Sequence, residues 1–249
     1  MTIGRRVYGL GAVVLGIQGL VFDRFGVMGL QVSPQVPSVH TLAYVAAAFV
    51  LLAGLATNVR RTAAIGALLL AAFFALALLV LRLPAALAQP MVWVSWENVA
   101  EGTVMALGGV LAWSLTAGVN EAGGAHTTRF VRPVFGLCLV VFGISEFVYA
   151  KFTASLVPVW LPPSQLAWAY VTGVAQIAAG LAILSGLRAR LAAMLLTTMY
   201  LIFSLILHIP RVIAEPSNLG AWAENGTNLV LLGAAWCLAD ALGRAKARS

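Results

Sequence analysis

The chain repeats itself. Residues 9–25 read GLGAVVLGIQGLVFDRF and residues 136–152 read GLCLVVFGISEFVYAKF, with eight of 17 positions identical. YVAAAFVLLAGLA from Tyr44 matches YVTGVAQIAAGLA from Tyr170 at six of 13 positions. LRLP, ending at Pro84, echoes LHIP, ending at Pro210, and Glu97-Asn98 echoes Glu224-Asn225. Every match lies 126 or 127 residues from its partner. Self-similarity at a fixed period constrains architecture more than any single motif does. It predicts two copies of one unit, over residues 1–117 and 131–249, joined by a polar Gly- and Thr-rich linker at 118–130.

What kind of unit follows from composition. The chain is 61% hydrophobic and 9% charged, against about 25% charged in a soluble domain. Apolar runs fall near 7–28, 40–58, 62–83, 97–117, 132–151, 165–186, 190–209 and 222–242. Each is close to the ~20 residues that cross a hydrocarbon core. The expected fold is therefore an all-α integral membrane protein, with eight transmembrane helices arranged as two four-helix repeats. Prolines are expected at helix boundaries, Pro34, Pro84, Pro133 and Pro210 among them, because an interior proline breaks the hydrogen-bond ladder.

Basic residues set the orientation. Eleven of the 15 Lys and Arg fall on one side, including Arg5, Arg60, Arg132, Arg188 and Arg244; four (Arg24, Arg82, Lys151, Arg211) fall on the other. Both termini are thus expected in the cytoplasm, and the two repeats are parallel. The cations come in small clusters between apolar runs, which argues against a nucleic-acid partner. No cleavable signal peptide is expected, since the first apolar run begins the first repeat. Cys138 and Cys237 are read as buried, reduced and structural.

Six of the eight acidic residues gather at the outer end: Asp23, Glu97, Glu101, Glu146, Glu215 and Glu224. Glu101, Glu146 and His208 lie inside apolar runs, where an ionisable group needs a cavity or a partner. Glu97 and Glu101 share a helix face. Glu146 is followed by Lys151, and His208 by Arg211, as expected charge partners. In the first repeat Gly19 stands opposite Glu146, and Leu81 or Arg82 opposite His208. The polar site is therefore expected mainly in the second repeat, lined by Glu146, His208, Glu224 and Asn225, with Lys151 and Arg211. The same acidic residues also suit plain structural roles at helix N-termini. Outer tryptophans (Trp93, Trp96, Trp160, Trp168, Trp222) read as a membrane-interface belt, or as the roof of a pocket for a flat ligand. No metal-ligand spacing, phosphate-binding loop or nucleophile elbow is present.

The second repeat resembles the DoxX family of bacterial membrane proteins. FGISEFVYAKFTASLVPVWLP, WAYVTGVAQIAAGLAIL and LHIPR carry the likeness, with RARLAAMLL between them. The first repeat resembles a diverged copy. The resemblance implies a compact four-helix membrane module in a bacterial cytoplasmic membrane, here in tandem, and an association with quinone-linked or oxidative-stress chemistry. It carries no catalytic motif. The expectation is a quinone- or lipid-binding subunit serving a redox partner protein. The rival classes are a small-molecule transporter and a structural scaffold without a ligand.

Overall fold

The computed structural model describes residues 2–28, 30, 32, 35–117 and 121–246. Pro34 and residues 118–120, part of the expected linker, lie outside these. Among the described residues all regular structure is helical. In the first half α1 spans Ile3–Phe22, α2 Val39–Asn58 and α3 Ala63–Ala77. A π-helical stretch, Leu78–Arg82, continues α3 into α4, Leu83–Ala88, and α5 spans Trp93–Ser114. In the second half α6 spans Glu121–Val148, α7 Ala150–Leu156, α8 Gln165–Ser185 and α9 Ala189–Phe203. Another π-helical stretch, Ser204–His208, leads into α10, Ile209–Ala214, and α11 spans Leu219–Lys246.

Seven of the described helices are long and apolar enough to cross a membrane. The remaining long helix, α5, is as long as the others but carries Glu97, Asn98 and Glu101 in its first turns, which lowers its hydropathy.

Two expectations about boundaries are corrected. Residues 121–130, expected as linker, are the start of α6. The threonines there do not compete with the helix: Thr127 and Thr128 donate back to the carbonyls of Gly123 and Gly124 at 2.9 Å. Pro133 lies inside α6 rather than at its start. Pro84 and Pro210 likewise do not end their helices. Each sits at the second residue after a π-helical stretch. A proline ring clashes with the carbonyl four residues back, and one wider π turn relieves that clash while the helix continues. LRLP and LHIP are thus the same device in both halves. Their register pairs His208 with Arg82, each the last residue of its π stretch.

The long helices form a closed ring, α1–α2–α3–α5–α6–α8–α9–α11 and back to α1, with α5 and α11 also touching across the middle. The first helix of each half packs on its own second helix and also on the last helix of the other half: α1 on α2 and α11, and α6 on α8 and α5. The halves therefore interlock and do not stand as separate bundles. Glycines make this possible on α1. Gly9 and Gly16 face α2, where a Cβ at Gly16 would lie 2.6 Å from the Leu51 backbone. Gly4 and Gly11 face α11, where a Cβ at Gly11 would lie 2.7 Å from the Val230 nitrogen. Spacing of seven places each pair on one stripe, so α1 carries two close-packing seams. Tyr8 sits at the centre, fully buried, and donates to the Met105 carbonyl at 2.7 Å. The central helix α11 is 72% buried over its apolar window, whereas α2 and α8 are 28% buried.

Candidate functional site

The polar residues at one end of the bundle fall into two groups. The first lies where α5, α6, α8 and α9 meet. Glu146, two residues before the end of α6, accepts a hydrogen bond from Gln176 of α8 at 2.9 Å. Its other oxygen, Oε2, is buried without a well-formed hydrogen bond, and the Thr153 hydroxyl of α7 lies close to the carboxylate. Next to it on α6, Ser145 accepts from the Trp93 indole at 2.8 Å and donates to the Val141 carbonyl at 3.1 Å. Glu97, one turn along α5, lies within electrostatic reach of both Glu101 and Glu146. Glu101 is paired with Arg82 at 2.5 Å, and Arg82 also donates to the Asn98 carbonyl at 2.7 Å. Tyr200 of α9, 4% exposed, has a buried hydroxyl without a hydrogen-bond partner. It lies within electrostatic reach of Glu146 and Glu101. Three carboxylates, one guanidinium, an amide and a phenol thus share one buried region.

The second group lies where α10 meets α11. Arg211 pairs with Glu224, and His208 sits beside Arg211. His208 makes no hydrogen bond among the described residues. Asn225, one residue along from Glu224, is buried with its side-chain oxygen unpaired. One turn deeper, Asn228 donates to the Tyr200 carbonyl at 2.9 Å and to Ser204 Oγ at 2.7 Å. It ties α11 to the top of α9, just ahead of the π stretch.

No hydrogen bond or ion pair among the described residues joins Glu146 to His208, Glu224 or Asn225. Lys151 is exposed on α7 and makes no ion pair with Glu146. Five residues place Lys151 about 140° around a helix from Glu146, and it lies beyond the break at Tyr149 between α6 and α7. The expected Arg211 partnership exists, with Glu224 as the acceptor. The site also draws on the first half, through Trp93, Glu97 and Glu101 on α5, because α5 is the neighbour of α6.

Gln176 and Tyr200 were not among the expected site residues, although both left a signal. At a register of 126, Gln176 stands opposite Val50 and Tyr200 opposite Phe74. A polar group in one copy facing an apolar one in the other is the same contrast that marks Glu146 against Gly19.

Outside the site, arginines close helix ends. Arg132 donates to the Ile183 and Leu184 carbonyls at 2.6 and 3.0 Å, and Arg244 donates to the Leu115 carbonyl at 3.1 Å. Three tryptophans donate to proline carbonyls six residues earlier: Trp96 to Pro90, Trp168 to Pro162 and Trp222 to Pro216. Cys138 and Cys237 are free and buried.

Over residues 135–223, about a third of its length, the chain is similar to a domain of unknown function, DUF8561. That stretch holds Glu146, Gln176, Tyr200, His208 and Arg211, and lies wholly in the second half. No curated protein and no solved structure matches the chain.

Proposed function

We propose that this is a DoxX-like integral protein of a bacterial cytoplasmic membrane, built from two parallel four-helix units with both termini inside. Its buried cluster around Glu146 binds the polar head of an amphipathic small molecule, a quinone or a lipid, in support of a redox partner protein. The membrane reading is supported by the outer surface. Val45, Leu52, Val174 and Leu195 are each more than half exposed on the outer helices, and a water-soluble monomer does not expose apolar surface on that scale. The two-unit reading is supported by correspondences at one register: the π stretches, the prolines after them, and the Trp96–Pro90 and Trp222–Pro216 bonds. The inward termini are supported by the arginines that close helix ends on the side expected to be cytoplasmic.

One observation carries the binding reading. Glu146 Oε2 and Tyr200 OH are both buried without a well-formed hydrogen bond, and their counterparts Gly19 and Phe74 carry no such group. Leaving such a group unpaired costs about 1–3 kcal/mol, so a ligand that bonds to both would offset the deficit. A carboxyl group and a phenol suit the oxygens of a quinone or quinol: one accepts or donates a proton, the other donates a hydrogen bond.

The test is direct binding of a short-tailed benzoquinone to purified protein. Saturable binding that weakens at least tenfold in Glu146→Gln and in Tyr200→Phe is expected. His208→Ala, in the second group, is expected to change it little. Binding that is absent, or equal in all four proteins, sinks the reading. Release of the chain from membranes by alkaline carbonate overturns the membrane reading separately.

A further inference from the structure

Between α8 and α9 the outer surface opens into a groove with a cavity volume of about 670 Å³. Its walls are apolar and largely small: Ala175, Ala178 and Ala179 from α8 face Leu195, Met199 and Ile202 from α9. It runs along α8 from Trp168 to Ala182 and closes at one end on Arg188. Fourteen residue-to-residue rises of about 1.5 Å make it about 21 Å long. The half-thickness of a bilayer core is roughly 15 Å.

The first half shows that this opening is not a necessity of the fold. At the register of 126, Ala175 corresponds to Phe49 and Met199 to Phe73. Those two rings stack in the first half, with centroids 5.7 Å apart and planes 29° apart, where the second half has the groove. Arg188 corresponds to Thr62. The Thr62 hydroxyl is spent on the Ala56 carbonyl at 2.9 Å. Arg188 instead is exposed, on a left-handed backbone at φ 50°, and makes no ion pair among the described residues. Three of the differences between the corresponding helices thus replace a two-ring plug with open space and place a cation at the groove's end.

We infer that this groove seats one acyl chain of an anionic glycerophospholipid, with the lipid phosphate against Arg188. The charge and the shape agree. A guanidinium binds phosphate through paired N–H donors, and anionic lipids are enriched in the leaflet that faces the cytoplasm, where Arg188 lies in the proposed orientation. The walls offer a hydrocarbon chain mostly apolar contact, and the hydroxyls of Thr172 and Thr198 that line it are already bonded to carbonyls of their own helices. The inference rests on the membrane reading above. It does not depend on a ligand at Glu146.

The test compares phosphatidylglycerol with phosphatidylcholine of the same chains, by native mass spectrometry of the detergent-purified protein. Wild type is expected to retain one phosphatidylglycerol, several-fold more than phosphatidylcholine. Ala175→Phe with Met199→Phe installs the ring pair already accommodated at Phe49 and Phe73, and is expected to abolish retention of both lipids. Arg188→Gln changes only a surface side chain and is expected to lose the preference for phosphatidylglycerol while still holding a chain. Equal retention of the two lipids by wild type overturns the inference, as does an undiminished preference in Arg188→Gln or unchanged retention in the double variant. A chain that resists carbonate extraction yet retains no phosphatidylglycerol overturns this inference and leaves the membrane reading standing.

Discussion

The two halves of this molecule share a backbone plan and differ in what they place inside it. Both carry a π stretch ahead of a proline, both pair their first two helices through glycines, and both close a loop with a Trp–Pro hydrogen bond. At matching positions the first half has Gly19, Val50 and Phe74 where the second has Glu146, Gln176 and Tyr200. The contrast reverses at the helix ends. Arg82 is buried at 5% side-chain exposure against Glu101 at 23%, whereas Arg211 and Glu224 are 25% and 31% exposed. The first half therefore reads as the packed partner, with its charge pair closed off. The second has an open groove, and polar groups at Glu146 and Tyr200 where the first has none, while the first buries Gln18 with its amide unpartnered; each of these costs stability unless something fills it.

The largest effect that can break this comparison is at Arg82. Arg82→Ala leaves Glu101 without its cation in a mostly buried place, so thermal unfolding in detergent should show a loss of about 3–5 kcal/mol. If it behaves like an exposed pair, the first half is less closed than described.

The close crossings should respond alike in the two halves. A Cβ at Gly54 would lie 2.8 Å from the Gly9 carbonyl oxygen, and one at Gly180 would lie 2.7 Å from that of Gly136. Gly54→Ala and Gly180→Ala should each cost about 1–3 kcal/mol by forcing the helices apart. Markedly unequal losses would end the claim that the crossings are equivalent.

Exchanging Tyr200 and Phe74 sharpens the contrast in sign. Phe74→Tyr buries a new hydroxyl and should cost about 1–3 kcal/mol, while Tyr200→Phe removes an unpaired one and should raise the melting temperature slightly. Lower stability on Tyr200→Phe would mean that the hydroxyl already has a partner.

The smallest effect is expected at Arg211. Arg211→Ala removes a partly exposed pair and should change stability by about 0–1 kcal/mol. A loss as large as that for Arg82→Ala would erase the distinction between the two charge pairs.

Much of this was legible before any coordinates. Seven of the eight apolar runs coincide with helices long and apolar enough to cross a membrane, because hydropathy is a local property that a window of residues reports. The oddity of Glu146 was legible too, since a carboxylate opposite a glycine at the same register stands out. Gln176 and Tyr200 carried the same kind of signal more faintly, because an amide or a phenol inside an apolar helix is cheaper and commoner than a carboxylate. Helix ends were less legible. Pro84, Pro133 and Pro210 read as stops by their local chemistry, yet tertiary packing holds these helices together through a π turn or an interior proline.

By itself the sequence determined that the chain is helical, apolar and self-similar between its halves, and which half carries the unusual polar residues; each is written in local composition or in a comparison of one stretch with another. The tertiary structure alone decided which helices touch. Gly4 and Gly11 look no different in sequence from Gly9 and Gly16, yet one pair meets α11 and the other α2. Because α6 lies against α5, Glu97 and Glu101 join Glu146, while His208 and Glu224 stand apart with Arg211. Packing between distant segments depends on the fit of whole surfaces, and no window of residues contains that fit.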